Sequence, residues 1–307
     1  MEQTAPITPF PDRLSPVFVR DLRQLLRSPL IVVSFLLLQI AVLGITGIEL
    51  VLVQISGAAS AGPLFSGTLW TFLGAGFGVA LPLTAIGALQ PELGMGRNIE
   101  LLLTSSLSRW QVVMGKWLTM TVLSFLLLLS VVPFLLVRYF LGSVELLDIG
   151  VLLGSILLTN AVMNAVVVGA SGFSSYIARG LMILLFGGLL LSTFSISGAS
   201  MAMGGTGSRW LWILLVPLTS AVLLLLAMQI GRARLKLFST LTDPPATGGI
   251  FVLSIVFPFA LGVGVAAGGA AAMFVVTLLW LALAFMIDRP PRKSYRYPEK
   301  ESLSPYG

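Results

Sequence analysis

The main polar interruption in the first half of the chain lies at residues 92–116 and reads ELGMGRNIELLLTSSLSRWQVVMGK. Long apolar runs flank it on both sides, so a chain that crosses a membrane places this segment outside the hydrocarbon. Its charged residues favour water: Glu92, Arg97, Glu100 and Arg109. Apolar residues lie between these charges: Ile99, Leu101, Leu102, Leu103 and Leu107. The combination predicts a short amphipathic helix that lies at the membrane surface or docks into a partner's groove.

The composition predicts a polytopic membrane protein. Of the 307 residues, 57% are hydrophobic and 10% are charged, against about 25% charged in soluble domains. The phosphate-loop pattern GxxxxGK[ST] is absent from the sequence, so any ATP hydrolysis is expected on another chain. The chain also has no Cys and no His, which argues against thiol nucleophiles, imidazole bases and most metal ligation. We therefore expect a chain that is not an enzyme, without a catalytic, cofactor or metal site of its own.

Apolar runs predict an all-α fold with about eight transmembrane helices. The predicted spans cover residues 30–53, 67–90, 111–137, 149–170, 181–196 and 210–230, followed by a pair within 250–287. The fifth is short enough to be tilted, broken or re-entrant. The last run is nearly twice as long as one crossing requires, and its glycines at 262–269 mark the expected reversal. The predicted units are a tail with an amphipathic helix (1–29), a six-span core (30–248), an additional two-span hairpin (249–287) and a basic tail (288–307).

The distribution of positive charge predicts the orientation. With both termini in the cytoplasm, all but Arg138 and Arg209 of the 18 Lys and Arg residues fall on the inner side. External loops are then expected at residues 54–66, 138–148 and 197–209, and the membrane is expected to be the bacterial inner membrane. Before the first span, Arg20, Arg23 and Arg27 recur on one helical face, which is typical either of an interfacial helix or of a plain positive flank.

Several polar or small residues within the predicted spans are candidates for function. Glu49, near the far end of the first span, is either a substrate or ion contact or an interfacial residue that touches water. Asn160 and Asn164 share a helical face, where amides hold helices together or line a permeation path. Gly74 and Gly78 form a GxxxG face that suits close helix packing within the bundle or across a dimer.

Two short sequence patterns indicate alternative functions, namely proteolysis within the membrane and copper binding. Residues 169–172 read GASG and resemble the serine nucleophile motif of rhomboid-type intramembrane proteases, but the chain has no histidine to act as the base. A short cytoplasmic turn is therefore predicted at residues 171–179. Met201 and Met203 are either soft ligands for copper(I) or part of a flexible external segment.

The segment at 92–116 resembles the cytoplasmic coupling segment of type-2 ABC transporter permeases. The likeness rests on Glu92, Gly96, Glu100-Leu101-Leu102, Leu107-Ser108-Arg109 and Gly115-Lys116. It departs from the family pattern by a Gly-to-Glu spacing one residue longer, and by Ser106 where the family usually has proline. Residues 13–29, which include VFVRDLRQLLRSP, resemble the amphipathic connecting helix before the family's first span.

The resemblance implies the membrane subunit of an ATP-driven exporter, in which a coupling helix between spans two and three docks on a separate ABC ATPase subunit. ATP and Mg would be bound by that ATPase. It further implies a second permease copy or a homologous permease, contact with membrane lipid and no role for nucleic acid. The implied coupling residues are Glu92, Gly96, Arg97, Glu100, Arg109 and Lys116, braced by Arg20, Arg23 and Arg27 of the connecting helix.

Permeases of this family have six spans, so the resemblance implies that the last two predicted spans, within residues 250–287, are an addition. Two other functions remain open, namely an ion-coupled secondary transporter and a non-transporting membrane anchor or assembly factor.

Overall fold

A computed structural model describes residues 16–56, 62–89, 109–140, 146–203, 209–234 and 247–287. Within them, the regular structure is entirely helical. The first half holds α1 (Pro16–Leu26), α2 (Pro29–Ser56), α3 (Gly62–Ala75), a π-helix (Gly76–Ala80) and the single turn α4 (Leu81–Leu83). The rest holds α5 (Arg109–Leu129), α6 (Val132–Phe140), α7 (Leu146–Ala170), α8 (Tyr176–Met203), α9 (Arg209–Arg234) and α10 (Thr247–Ile287).

Among the described residues, six helical segments are long and apolar enough to cross a membrane, and residues 67–83 form a shorter apolar helix. A helix satisfies its own backbone hydrogen bonds, so it is the structure that an apolar chain of this kind adopts in hydrocarbon. The expected all-α, multi-pass membrane fold is confirmed.

Residues 247–287 fold back on themselves. The helical backbone is broken at Gly268 and Gly269, and Gly269 has φ +62°, a conformation that favours glycine. Beyond the break, the Trp280 indole N–H donates to the carbonyl of Leu253 at 3.0 Å, and its ring centre lies 6.0 Å from that of Phe257. The two arms are therefore antiparallel, and the reversal predicted at the glycines is confirmed.

The hairpin formed by α10 packs on the rest of the bundle. The largest buried cluster draws apolar side chains from α5, α7, α8, α9 and both arms of α10, including Val113, Val166, Phe186, Leu223 and Phe257. Helix α9 makes its most extensive contacts with α7 and α10. A second cluster joins α2, α3, α6 and α7 through Val42, Leu73, Leu135 and Ile156.

Several predicted boundaries are wrong. The second span, predicted at residues 67–90, belongs to helical structure that begins at Gly62 and ends at Leu83. The loop predicted at residues 54–66 is therefore too long, since α2 also continues to Ser56.

The predicted third span lies within a single candidate span at Trp110–Phe140, but its helical structure is interrupted at Ser130 and Val131 between α5 and α6. Pro133, which has no backbone N–H to donate, lies next to this interruption. The external loop predicted from residue 138 starts too early, since α6 continues to Phe140. The fifth span is a continuous helix of 28 residues rather than a short or broken one, so residues 197–203, including Met201 and Met203, belong to α8 and not to a loop.

Candidate functional site

One end of the bundle carries α1 and the two attachment points of the predicted coupling segment. We call it the α1 end. Helix α1 packs against α5, with Phe18 buried and Arg20, Arg23 and Arg27 all exposed. The predicted arginine face is therefore the outer face of this helix.

An ion pair fixes α1 to α5. The Oδ2 atom of Asp21 lies 3.0 Å from Nζ of Lys116, and both side chains are largely buried. The Oδ1 atom of Asp21 accepts a hydrogen bond from Nε of Arg20 at 2.9 Å. Lys116 thus connects the two predicted elements of the α1 end. Asp21 was not singled out from the sequence, although it is the lone acidic residue of α1.

The other attachment point is held by the turn that joins α7 to α8. The backbone N–H of Leu89, at the edge of the described residues, donates to Oγ of Ser171 at 3.1 Å. Ser171 in turn donates to the carbonyl of Val168 at 2.6 Å. Leu89 belongs to the same buried cluster as Val113 of α5. A turn is observed at residues 171–175, shorter than the predicted 171–179 because α8 begins at Tyr176, and Ser171 supports the backbone there.

Arg179 closes the same turn. Its guanidinium donates to the carbonyls of Phe173 at 2.7 Å and Ser174 at 3.2 Å, and makes a longer contact of 3.5 Å to the carbonyl of Ile86. The same group lies 4.5 Å from the ring centre of Tyr176. A buried arginine is thereby paired with carbonyl dipoles and an aromatic face, and it ties α8 to the chain just before Leu89.

The coupling residues predicted between these points lie mainly outside the described residues, namely Glu92, Gly96, Arg97 and Glu100. Arg109 is the first residue of α5, and Lys116 lies two turns further on. Their proposed contact with an ATPase stays a prediction.

The opposite end of the bundle holds a second ion pair. Nη2 of Arg138 in α6 donates to Oε1 of Glu49 in α2 at 2.6 Å. The side chains are 1% and 8% exposed, respectively. Arg138, expected in a loop, is therefore among the most deeply buried side chains, because α6 extends past it and turns it towards α2. Neither an Arg138 partner nor the role of Glu49 was deducible from sequence, since the residues are 89 positions apart.

Other polar contacts hold α2 and α7 in place. Gln39 of α2 donates to Oγ of Ser130 at 2.6 Å, at the break between α5 and α6. In α7, Asn160 donates to the carbonyl of Phe77 in the π-helix at 2.6 Å, and Asn164 donates to Oδ1 of Asn160 at 2.9 Å. Both amides are buried. Their contacts are those of interhelical hydrogen bonding, while a role in a permeation path stays a prediction.

The two glycines of the predicted GxxxG face, Gly74 and Gly78, have different surroundings. Gly78 is buried, and a Cβ atom built there would lie 3.5 Å from Cγ2 of Thr159 in α7. A Cβ atom at Gly74 would meet no atom within 4 Å among the described residues. Gly78 therefore faces α7 at a distance that would also admit a methyl group, and a role of either glycine in close helix packing stays a prediction.

In the described part of the chain, no group of three or more His, Cys, Asp or Glu side chains could hold a metal ion. No protein-family model, curated protein or solved structure matches the chain. The fold and composition define a multi-pass membrane protein.

Proposed function

We propose that the chain is the membrane-spanning permease subunit of an ABC exporter, which couples ATP hydrolysis on a separate ATPase subunit to movement of a substrate across the membrane. The observation that carries the proposal is the support given to the predicted coupling segment. Its first attachment point, Leu89, is held by Ser171, and its second, Lys116, is held by Asp21. A segment that transmits force needs such attachments, because a loosely attached segment would move without moving the helices.

In this proposal, the ATPase docks on Glu92, Arg97, Glu100 and Arg109, and binds ATP and Mg itself. Closure of the ATPase displaces the segment between the two attachment points. The ion pair from Lys116 makes α5 and α1 move together, while the hydrogen bond to Leu89 carries motion to the α7–α8 turn. The exposed arginines of α1 lie beside this contact and suit either the ATPase or the headgroups of inner-leaflet lipids.

The proposed topology has eight crossings. Six candidate spans, the shorter helix at 67–83 and the separation of α10 into two arms add up to that number. The proposal places the α1 end and both termini in the cytoplasm. Leu89, Lys116 and Ser171 then lie on one side and Glu49 and Arg138 on the other, which agrees with their pairing in space.

A charge reversal tests the proposal. Glu100→Lys and Arg109→Glu should leave the permease inserted but weaken ATPase association by about tenfold, because like charges then face each other at the contact. Arg292→Glu, in the tail, is the matched control and should behave as the native chain. The measurements are co-purification of the ATPase and ATP-driven transport in reconstituted membranes. Unchanged association, hydrolysis and transport in both variants would exclude the segment as the coupling element.

The exporter requires two coupling segments, so we propose a second permease copy or a homologous permease in the complex. Mass measurement of the intact complex in native lipid tests this directly. A complex with a single permease chain of any kind would contradict it.

One observation favours a different function. The Glu49–Arg138 pair places ionisable groups inside the spans, as an ion-coupled secondary transporter requires. Vesicles with an imposed proton or sodium gradient and no ATP distinguish the two functions. Transport driven by the gradient alone supports the secondary transporter, and transport that requires ATP and the ATPase supports the exporter.

A further inference from the structure

The Glu49–Arg138 pair has a mismatch between burial and hydrogen bonding. Glu49 accepts through Oε1 at 2.6 Å, while its Oε2 atom is equally buried and has no hydrogen-bond partner in the described part of the chain. A buried carboxylate that is only half satisfied costs free energy, and a conformation that satisfies it is favoured in comparison. The Oγ1 atom of Thr46, one helical turn earlier, is also buried without a partner.

Helix α2 is weakly held against the bundle at this place. Of the six candidate spans, the one in α2 has the smallest buried share. Its main contacts are with α3 and α6, and large apolar side chains such as Ile48, Val51 and Ile55 are exposed. Separation of the outer part of α2 from α6 therefore gives up little buried apolar surface, and its main cost is the Glu49–Arg138 ion pair.

The surroundings of Arg138 select the kind of ligand that would reach it. Its neighbours Leu136, Val137, Tyr139 and Phe140 are all exposed and lie in a span. A guanidinium group presents a fork of N–H donors that matches a carboxylate or a phosphate. A molecule that approaches through this apolar surface combines an anionic headgroup with a hydrocarbon part.

We propose that Arg138 binds the phosphate or carboxylate headgroup of a membrane-embedded amphiphile when α2 moves away from α6, and that Glu49 takes the place of this headgroup in the conformation described here. Glu49 is then an internal competitor that closes the site. The proposal rests on the exporter function only where the amphiphile is taken as cargo. Binding itself is a property of this chain alone.

Phosphatidylglycerol is the probe for the test. The full-length permease, purified without an ATPase, is titrated with phosphatidylglycerol, and bound lipid is counted by native mass spectrometry. Glu49→Gln should bind with about tenfold higher apparent affinity than the native chain, because the charge that keeps the site closed is gone. Arg138→Gln should lose this binding. Arg138→Lys, which keeps the charge without the fork, should be intermediate.

Three controls make the result specific. Glu92→Gln removes a carboxylate that follows Leu89 by three residues, and Leu89 lies at the other end of the bundle from the pair, so this variant should leave the affinity unchanged. Diacylglycerol, which has the same hydrocarbon chains but no phosphate or carboxylate, should bind equally to all variants. Inorganic phosphate at millimolar concentration should not displace the lipid, because it has no hydrocarbon part.

Equal phosphatidylglycerol affinity in the native chain and in Glu49→Gln overturns the proposal. Because Glu49→Gln keeps the arginine, this comparison holds even if Arg138→Gln fails to fold. It is also overturned by an equal gain in Glu92→Gln, or by displacement of the lipid with inorganic phosphate. If the lipid pattern is as expected but the native chain associates with no ATPase, the exporter proposal fails and the lipid site remains.

Discussion

Gly169, near the end of α7, is expected to tolerate no side chain. A Cβ atom built there would overlap the backbone carbonyl oxygen of Ala227 in α9. A Cβ atom at Gly231, one turn further along α9, would lie only 3.2 Å from the Cα atom of Gly169. Because the overlap involves backbone rather than a flexible side chain, Gly169→Ala forces α7 and α9 apart at the centre of the largest buried cluster.

The size of the effect follows from overpacking. One extra methyl group in a tightly packed core costs about 1–3 kcal/mol. For a chain of this size, that loss lowers the melting temperature by about 2–5 °C. Gly154→Ala is the matched control, since Gly154 lies in the same helix and its Cβ atom would meet nothing within 4 Å. There, alanine should be neutral or stabilise the helix by roughly 0.5–1 kcal/mol.

The assay is size-exclusion chromatography after stepwise heating of the purified protein in detergent, which gives an apparent melting temperature. If the proposed exporter function is correct, Gly169→Ala should also reduce ATP-driven transport, because Gly169 lies two positions before Ser171, which holds Leu89. If Gly169→Ala and Gly154→Ala melt at the same temperature, α7 and α9 do not approach each other as closely as described, and the reasoning fails.

Three further predictions concern a buried hydrogen bond, the reversal in α10 and the membrane topology. Asn160→Leu leaves the carbonyl of Phe77 without its side-chain donor and should lower the free energy of unfolding by ~1–3 kcal/mol. The same heating assay measures this loss. Native-like stability would show that the hydrogen bond contributes nothing. Gly269→Ala strains a backbone with φ +62° and should lower the free energy of unfolding by ~1–3 kcal/mol. Gly262→Ala, where a Cβ atom meets open space, should lower it little. Equal losses of stability in the two variants would contradict the reversal at Gly269. Ser106→Cys, in a chain without native cysteine, should be labelled only from the cytoplasm, and labelling only from outside would reverse the proposed topology.

Much of the helical framework was predictable from hydropathy. The first and fourth spans agree closely with α2 and α7, and the amphipathic pattern before residue 30 agrees with α1. Such agreement is expected, because an apolar run in hydrocarbon has no alternative to helix. The reversal at Gly268 and Gly269 was predictable for a similar reason, since one helix of that length exceeds the membrane.

Boundaries set by local chemistry were harder to predict. Serine and glycine after residue 196 are typical of a loop, yet α8 continues to Met203. An arginine after a long apolar run is typical of a span's end, yet Arg138 lies inside α6. In both places, tertiary contacts or intrahelical hydrogen bonds outweigh the preference of the individual residues.

The sequence by itself determined that this is an all-α membrane protein, that its last apolar run folds into a hairpin, and that a polar amphipathic segment interrupts its first half. These features follow from the length and polarity of contiguous runs, which are local properties. Only the tertiary structure decided that Asp21 pairs with Lys116, that Ser171 holds Leu89 and that Glu49 meets Arg138. Each of these contacts joins residues on different helices, and helix periodicity carries no information about which faces of separate helices come together.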